Sequence, residues 1–148
     1  MDNVVFYDNS NEMLEDYEAR KHLGLEAIGL SAEAHAKERL TATVYTGNKP
    51  WVVSGRLRNS VTYAIAGYPA HVKSYAPDNK TVDPTVGTYE GTADGKKDEA
   101  VYIGTNVRYA EGIELGTHRA EGAVHFLQHA AQDFGEEYEL LMKEALAD

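Results

Sequence analysis

Residues 11–43 read NEMLEDYEARKHLGLEAIGLSAEAHAKERLTAT, and this stretch decides the fold because it predicts one long helix. Leu23, Ala27, Leu30 and Ala34 recur at intervals of four, three and four residues, which is the spacing of one helical face. A helix of this length needs a partner along much of its surface, so the remaining elements are expected to pack against it.

The sequence also marks the ends and the interior of this helix. The candidates for its N-terminal cap are Asn9, Ser10 and Asn11. The segment TGNKP at residues 46–50 breaks the pattern. Gly24 and Gly29 each cost about 1 kcal/mol relative to alanine inside a helix. They therefore predict a bend or a close helix crossing.

Two short strands are predicted after the long helix. Ser54 can cap a single helical turn, and an alternating segment at residues 61–66 then predicts a strand with one buried face. Residues 100–105 predict a second strand with Val101 and Ile103 on one face. Residues 67–99 are rich in Gly, Pro, Asp, Asn and Thr and predict an extended loop or a hairpin, with weak strand character at 71–75 and 85–89.

The C-terminal part of the sequence is predicted to be helical. Asn106 can cap a short helix that runs to Leu115, and Gly116 is a suitable stop. A final helix is predicted over residues 124–147, with an apolar stripe formed by Phe126, Ala130, Phe134, Tyr138, Leu141 and Ala145. The fold class is therefore α+β: a long N-terminal helix and a C-terminal helix pack on a small antiparallel sheet, with a long loop or hairpin insertion. Residues 1–10 are interpreted as an arm and residues 11–148 as a single domain.

Composition limits the possible functions. The chain has 148 residues and a net charge of −10. It contains no cysteine, and this excludes thiolate chemistry and disulfides. Six acidic residues and no basic one lie within residues 1–18, and six acidic residues with one lysine lie within 133–148. Nucleic-acid binders usually present a concentrated basic face, so at most passive contact with DNA is expected. No signal peptide and no membrane-spanning run is recognised.

Candidate catalytic groups are weak. His118, His125 and His129 suggest a metal site, but the glutamate of an H-E-x-x-H motif is missing, and surface histidines are the simpler interpretation. Glu111 and Glu114 lie one helical turn apart and are better explained as a solvated or interface-facing pair. No phosphate-binding loop, dinucleotide fingerprint or nucleophile elbow is present. The sequence therefore predicts no enzyme, no cofactor and no metal.

Two segments resemble the tail-completion, or neck, proteins of long-tailed bacteriophages, the putative tail-component family. SGRLRNSV at residues 54–61 resembles the family's T-G-x-L-x-x-S-[IV] segment after a long N-terminal helix. VYIGTNVRYA at 101–110, continuing to ELGT at 114–117, resembles its v-x-[IV]-G-x-x-x-x-Y-A-x-x-x-E-x-G-T segment. The helix bearing Phe126 fits the family's closing helix. The residues that carry the resemblance, and are candidates for interfaces, are Ser54, Gly55, Arg56, Leu57, Arg58, Ser60, Tyr109, Glu114, Gly116 and Thr117.

The resemblance implies a structural virion protein that completes the head–tail joint as part of a ring of identical subunits, six or twelve in number. The implied partners are head-completion, tail-terminator or tail-tube proteins, and the implied location is the neck of a virion assembled in the bacterial cytoplasm. Arg56 and Arg58 would then suit an interfacial salt bridge. Tail terminator and head-side stopper or adaptor remain alternatives, as do a small histidine-dependent metalloenzyme and an acidic adaptor that binds a basic host protein.

Overall fold

A computed structural model describes residues 8–43, 56–68, 71–74, 88–91, 99–105, 107, 110–116 and 123–147. In chain order its elements are α1 (Ser10–Thr43), α2 (Arg56–Ser60), β1 (Thr62–Ile65), β2 (His71–Ser74), β3 (Thr88–Gly91), β4 (Val101–Gly104), α3 (Ala110–Leu115), α4 (Phe126–Gln132) and α5 (Gly135–Leu146). The long N-terminal helix, the C-terminal helices and the small antiparallel pairing confirm the predicted α+β class. Residues 1–7 of the predicted arm lie outside the described part of the chain. Within that part, no helix is both long and apolar enough to cross a membrane.

The long helix begins where its capping residues indicate. The side chain of Asp8 accepts hydrogen bonds from the backbone N–H and the hydroxyl of Ser10, and the N–H of Met13 donates to the carbonyl of Asn9. Side-chain acceptors at this point satisfy amides that have no partner within the helix. With 34 residues, α1 is roughly 50 Å long.

The buried face of α1 is not the face that the sequence pattern indicated. Leu23 and Leu30 are 60% and 57% exposed, and Ala34 is exposed as well. The buried face is formed instead by Leu25, Ala32, Ala36 and Leu40. Both sets follow the helical period, so periodicity could not distinguish them. The tertiary packing distinguishes them, because the sheet, α4 and α5 pack against α1 and bury the second set.

Both glycines of α1 lie at close contacts, but only Gly24 lies at the predicted helix crossing, since Gly29 faces a strand. A β-carbon on Gly29 would lie 2.4 Å from the ring of Tyr63 on β1. A β-carbon on Gly24 would lie 2.6 Å from the sulfur of Met142 on α5. Glycine at these positions therefore lets α1 pack closely against the sheet on one side and against α5 on another.

Strands β1 and β4 pair antiparallel, with Thr62 opposite Gly104 and Ile65 opposite Val101. The prediction that only one face of β1 is buried is wrong, because all four of its residues are buried. Tyr63 and Ile65 pack with Leu25 of α1. On the other face Ala64 packs with Tyr102, next to the second strand pair.

Strands β2 and β3 pair antiparallel within the segment predicted as a loop or hairpin. His71 lies opposite Gly91 and Ser74 opposite Thr88, so β3 begins three residues later than the predicted strand. Both strands contact β1. The second strand pair therefore lies close to β1.

The main hydrophobic core joins α1, α2, α3 and α4. Its buried members are Ala36, Leu40, Leu57, Val61, Val107, Ala110, Ile113, Phe126 and Ala130. Phe126, Leu40, Leu57 and Val61 are almost completely removed from solvent. Each such side chain contributes about 1.5–3 kcal/mol relative to exposure, so this cluster is the principal source of stability near α3 and α4.

The single C-terminal helix predicted over residues 124–147 is interrupted. The chain forms α4, leaves helical geometry at Phe134, whose backbone angles are φ −122° and ψ 28°, and resumes as α5 at Gly135. Phe134 turns inward and stacks on the ring of His35, with the centroids 3.4 Å apart. The hydroxyl of Tyr138 donates to the carbonyl of Ala130 across the break. Burial and, secondarily, the charge of Glu137 raise the pKa of Tyr138 to about 12.

A polar contact fastens α5 to α1 beside this break. Glu137 accepts a hydrogen bond from the hydroxyl of Ser31 at 2.6 Å, and its other oxygen lies 2.6 Å from Nε2 of His35. These hydrogen bonds, that from Ser31 first, lower the pKa of Glu137 below its ordinary value. At the far end, Arg20 donates to the carbonyl of Ala147 at 2.7 Å. The two helices are therefore pinned at both ends of their antiparallel contact.

Candidate interaction site at the α3–α4 junction

The structure describes part of the two segments that carry the family resemblance. Ser54, Gly55, Tyr109 and Thr117 lie outside the described residues, as do Asn106 and His118. Arg56 begins α2, and Arg58 lies half-buried in the same helix. Leu57 and Ser60 are buried, and Leu57 belongs to the main core. The described residues of the first segment thus anchor α2 rather than form an open surface.

The hydroxyl of Ser60 connects the two segments. It lies within hydrogen-bonding distance of both the carbonyl of Leu57, at 2.7 Å, and the hydroxyl of Thr105. The Thr105 oxygen also accepts the backbone N–H of Val107 at 3.2 Å. Because Ser60 is buried, this hydroxyl chain satisfies a polar group that water does not reach, at the point where α2 meets the end of β4.

Glu114 caps the helix that follows it in space. Its two carboxylate oxygens accept the backbone N–H groups of Leu127 and Gln128, each at 2.9 Å. These are first-turn amides of α4, which have no partner within the helix and carry the positive end of its dipole. The carboxylate therefore acts as a remote N-terminal cap, thirteen residues before Leu127. Glu114 was predicted to form a solvated or interface-facing pair with Glu111. It instead accepts hydrogen bonds from backbone amides of α4.

Two further contacts hold α4 in place. The residue before the helix, His125, has a left-handed backbone with φ +54° and makes no capping bond through its side chain. The N–H groups of Val124 and His125 donate to the carbonyls of Ile113 and Glu114. The guanidinium of Arg39 on α1 donates to the carbonyl of Val124 at 3.1 Å. The entry to α4 is thus tied to both α3 and α1, and Gly116, with φ +75°, turns the chain after α3 as predicted.

An open groove of about 370 Å³ lies beside this junction. Its lining residues are Thr105, Val107, Ala110, Glu111, Glu114, Leu115 and Leu127. Most of its surface is apolar, and Leu115 at its rim is 54% exposed. A shallow apolar groove with an exposed leucine suits contact with another protein surface better than enclosure of a small molecule.

Of the three histidines considered as a possible metal site, the structure describes His125 and His129, and these two make other contacts or none. Nδ1 of His129 lies 2.6 Å from the carboxylate of Asp133, and the His125 ring leaves its Nδ1 buried without a hydrogen-bond partner. His118 lies outside the described residues. Among the residues that the structure describes, no three His, Asp or Glu side chains gather in a metal-binding arrangement.

Sequence reasoning missed both the capping role of Glu114 and the groove. A local capping box would have been visible as a Ser or Thr with Glu three residues later, but here the cap comes from a different helix. The only signal available was the absence of a good capping residue at His125.

The chain matches no protein-family model, no curated protein and no solved structure.

Proposed function

We propose that this chain is a structural protein of the head–tail joint of a long-tailed bacteriophage, where it forms part of an oligomeric ring. The proposal rests on the resemblance of residues 54–61 and 101–117 to tail-completion proteins. The observation that carries it furthest is that the described parts of these two segments meet at one place. Ser60 of the first bonds to Thr105 of the second, and Glu114 then caps α4. Residues far apart in sequence thus build one junction.

The chemistry of this junction supports a structural role. Both oxygens of Glu114 are occupied by backbone amides, and the hydroxyls of Ser60 and Thr105 bond to each other. Groups held in this way rigidify a surface rather than attack a substrate. The groove beside them, with Leu115 at its rim, supplies an apolar patch on which a neighbouring subunit or neck protein would rest.

The acidic charge agrees with this role. A net charge of −10 keeps the free subunit soluble and disfavours tight binding to DNA. In a joint that surrounds the DNA channel, an acidic wall would let DNA pass without holding it. The ring would contain six or twelve copies and would meet head-completion, tail-terminator or tail-tube proteins. Tail terminator and head-side stopper are neighbouring levels of the same joint and remain alternatives within this proposal.

The test is the position of the protein in virions of the phage that encodes it. Gold-labelled antibody against the chain is expected to mark the neck in electron micrographs. Label on the capsid faces or at the distal tail tip would refute the proposal. Deletion of the gene is expected to leave filled heads and separate tails, and attached tails in the deletion strain would count equally against it.

Complementation of the deletion strain tests the groove. The variant Leu115→Glu is expected to fold but to restore few joined particles, because it places a charge at the rim of the groove. Leu140→Glu is the matched control, since Leu140 on α5 is 56% exposed and does not line the groove. Equal complementation by both variants would show that the groove has no part in joining heads to tails.

A further inference from the structure

The outer side of α1 carries an apolar stripe formed by Leu23, Ala27, Leu30 and Ala34, here named the outer stripe. Its two leucines are 60% and 57% exposed, although they lie in the middle of the long helix. The intervals of four, three and four residues are those of a coiled-coil seam. Apolar side chains exposed at this spacing favour another helix as their neighbour.

The side chains of the outer stripe are complementary in size to the outer stripe of a second, antiparallel copy. If a second α1 crosses antiparallel, centred between Ala27 and Leu30, each Leu23 faces an Ala34 and each Leu30 faces an Ala27. Every large side chain then meets a small one, which lets two helices pack closely. A parallel pair in register would place leucine on leucine and alanine on alanine, leaving uneven gaps.

Charge also favours the antiparallel arrangement. Arg20 and Glu38 lie at opposite ends of the outer stripe, almost equally far from its centre, so each Arg20 would come level with a Glu38 of the other copy. Glu38 is largely exposed. Arg20 is partly exposed and already bonds to Asp16 and to the carbonyl of Ala147, so a contact with Glu38 of the other copy would be shared with these partners. A parallel pair would instead bring together two copies of the same acidic group, Glu12, Glu15, Asp16 and Glu18.

We propose that the outer stripe binds the outer stripe of a second copy of this chain, with the two α1 helices antiparallel. The pair is isologous and closes at two subunits, whereas a ring requires head-to-tail contacts. It is therefore a state of the free chain that goes beyond the proposed function. The stripe from Arg20 to Glu38 is roughly 27 Å long, and a single helix face covers less than the ~800 Å² per partner of a stable complex. The dimer is consequently weak and concentration-dependent.

Sedimentation velocity of the purified full chain from micromolar to millimolar concentrations tests the pairing. The wild type is expected to pass from monomer to dimer, and Leu30→Glu is expected to raise the dissociation constant at least about 100-fold because two leucines per dimer are lost. The control Leu140→Glu, equally exposed on α5, is expected to dimerise like the wild type. A wild type that stays monomeric at millimolar concentration overturns the proposal, as does equal loss of dimer in both variants.

A distance measurement tests the orientation independently of stability. Because the chain has no cysteine, Thr41→Cys gives one spin-label site on an exposed position of α1. At millimolar concentration an antiparallel pair is expected to separate the two labels by roughly 35–40 Å along the helix axes, from the 1.5 Å rise per residue. A separation near the ~10 Å of parallel neighbouring helices would overturn the antiparallel pairing.

Discussion

The carboxylate of Glu114 accepts the backbone N–H of Leu127 at 2.9 Å, and through this bond α3 determines where α4 begins. Its second oxygen accepts the next amide, that of Gln128, at the same distance. A charged acceptor at a helix N-terminus satisfies otherwise unpaired donors and interacts favourably with the helix dipole. The groove at this junction therefore depends on a single side chain for its geometry.

Replacing Glu114 is expected to destabilise the protein. Glu114→Ala leaves two amides of α4 without acceptors and should lower the free energy of unfolding by about 1–3 kcal/mol. Glu114→Gln retains one acceptor oxygen and should lose less. Glu111→Ala, which removes a neighbouring exposed carboxylate, should change stability by no more than about 0.5 kcal/mol. Urea unfolding of the three variants measures this, and equal effects at both positions would contradict the capping role.

Adding one methyl group to α1 is expected to destabilise the protein at one of its two close contacts and not at the other. Gly29→Ala would place a carbon 2.4 Å from the buried ring of Tyr63, and overpacking of this kind costs about 1–3 kcal/mol, more than the ~1 kcal/mol gained in helix propensity. Gly24→Ala meets the flexible side chain of Met142, which can move aside, and the β-carbon of Ala145 at 3.1 Å, which requires only a small shift of α5. Its net effect should therefore be near zero. Thermal unfolding compares the two variants. A Gly29→Ala variant as stable as the wild type would show that α1 can move away from Tyr63 without cost, contrary to this prediction.

The hydroxyls of Ser60 and Thr105 are expected to be energetically coupled. Each single replacement, Ser60→Ala or Thr105→Val, leaves the other hydroxyl with one partner fewer in a region where Ser60 is buried. The double variant should therefore be less destabilised than the sum of the two, with a coupling energy of about 1 kcal/mol. A double-mutant cycle by chemical denaturation gives the value directly, and strict additivity would mean that the two segments are not joined by this bond.

The free energy of unfolding is expected to fall at acid pH as Glu137 becomes protonated. The Ser31 hydroxyl and the His35 ring hold the pKa of Glu137 below its ordinary value of 4.5. A carboxyl group whose pKa is lower in the folded state contributes stability that is fully present above the unfolded pKa and is lost as pH falls through the folded pKa. Glu137→Gln should therefore be less stable than the wild type at neutral pH, and the gap should close below pH 4.5.

The control for this prediction is Glu136→Gln, which removes a charge from the same first turn of α5. Urea midpoints measured across an acid pH series distinguish the two variants. A gap that stays constant with pH for Glu137→Gln, or an equal gap for Glu136→Gln, would assign the effect to the helix dipole rather than to the contact with α1.

Much of the element order could be predicted from the sequence, because it rests on local signals. The break after residue 43, the two paired strands and the stop at Gly116 all follow from residues close to the feature itself. The interruption between α4 and α5 did not, because the apolar stripe continues through Phe134 without a change of period. The helix breaks there because Phe134 stacks on His35 of α1, a partner about a hundred residues away. Glu114 escaped prediction for the same reason, since its partners belong to another helix.

The sequence by itself determined that residues 11–43 form a helix and that apolar side chains recur along it with the helical period. It did not determine which side faces inward, because two stripes share that period: Leu23 with Leu30, and Leu25 with Leu40. Only the tertiary structure decided between them. The sheet, α4 and α5 together cover only part of the helix surface, and the side that carries Gly29 permits the close contact with Tyr63. The other stripe was left in water, where it is free to meet a second chain.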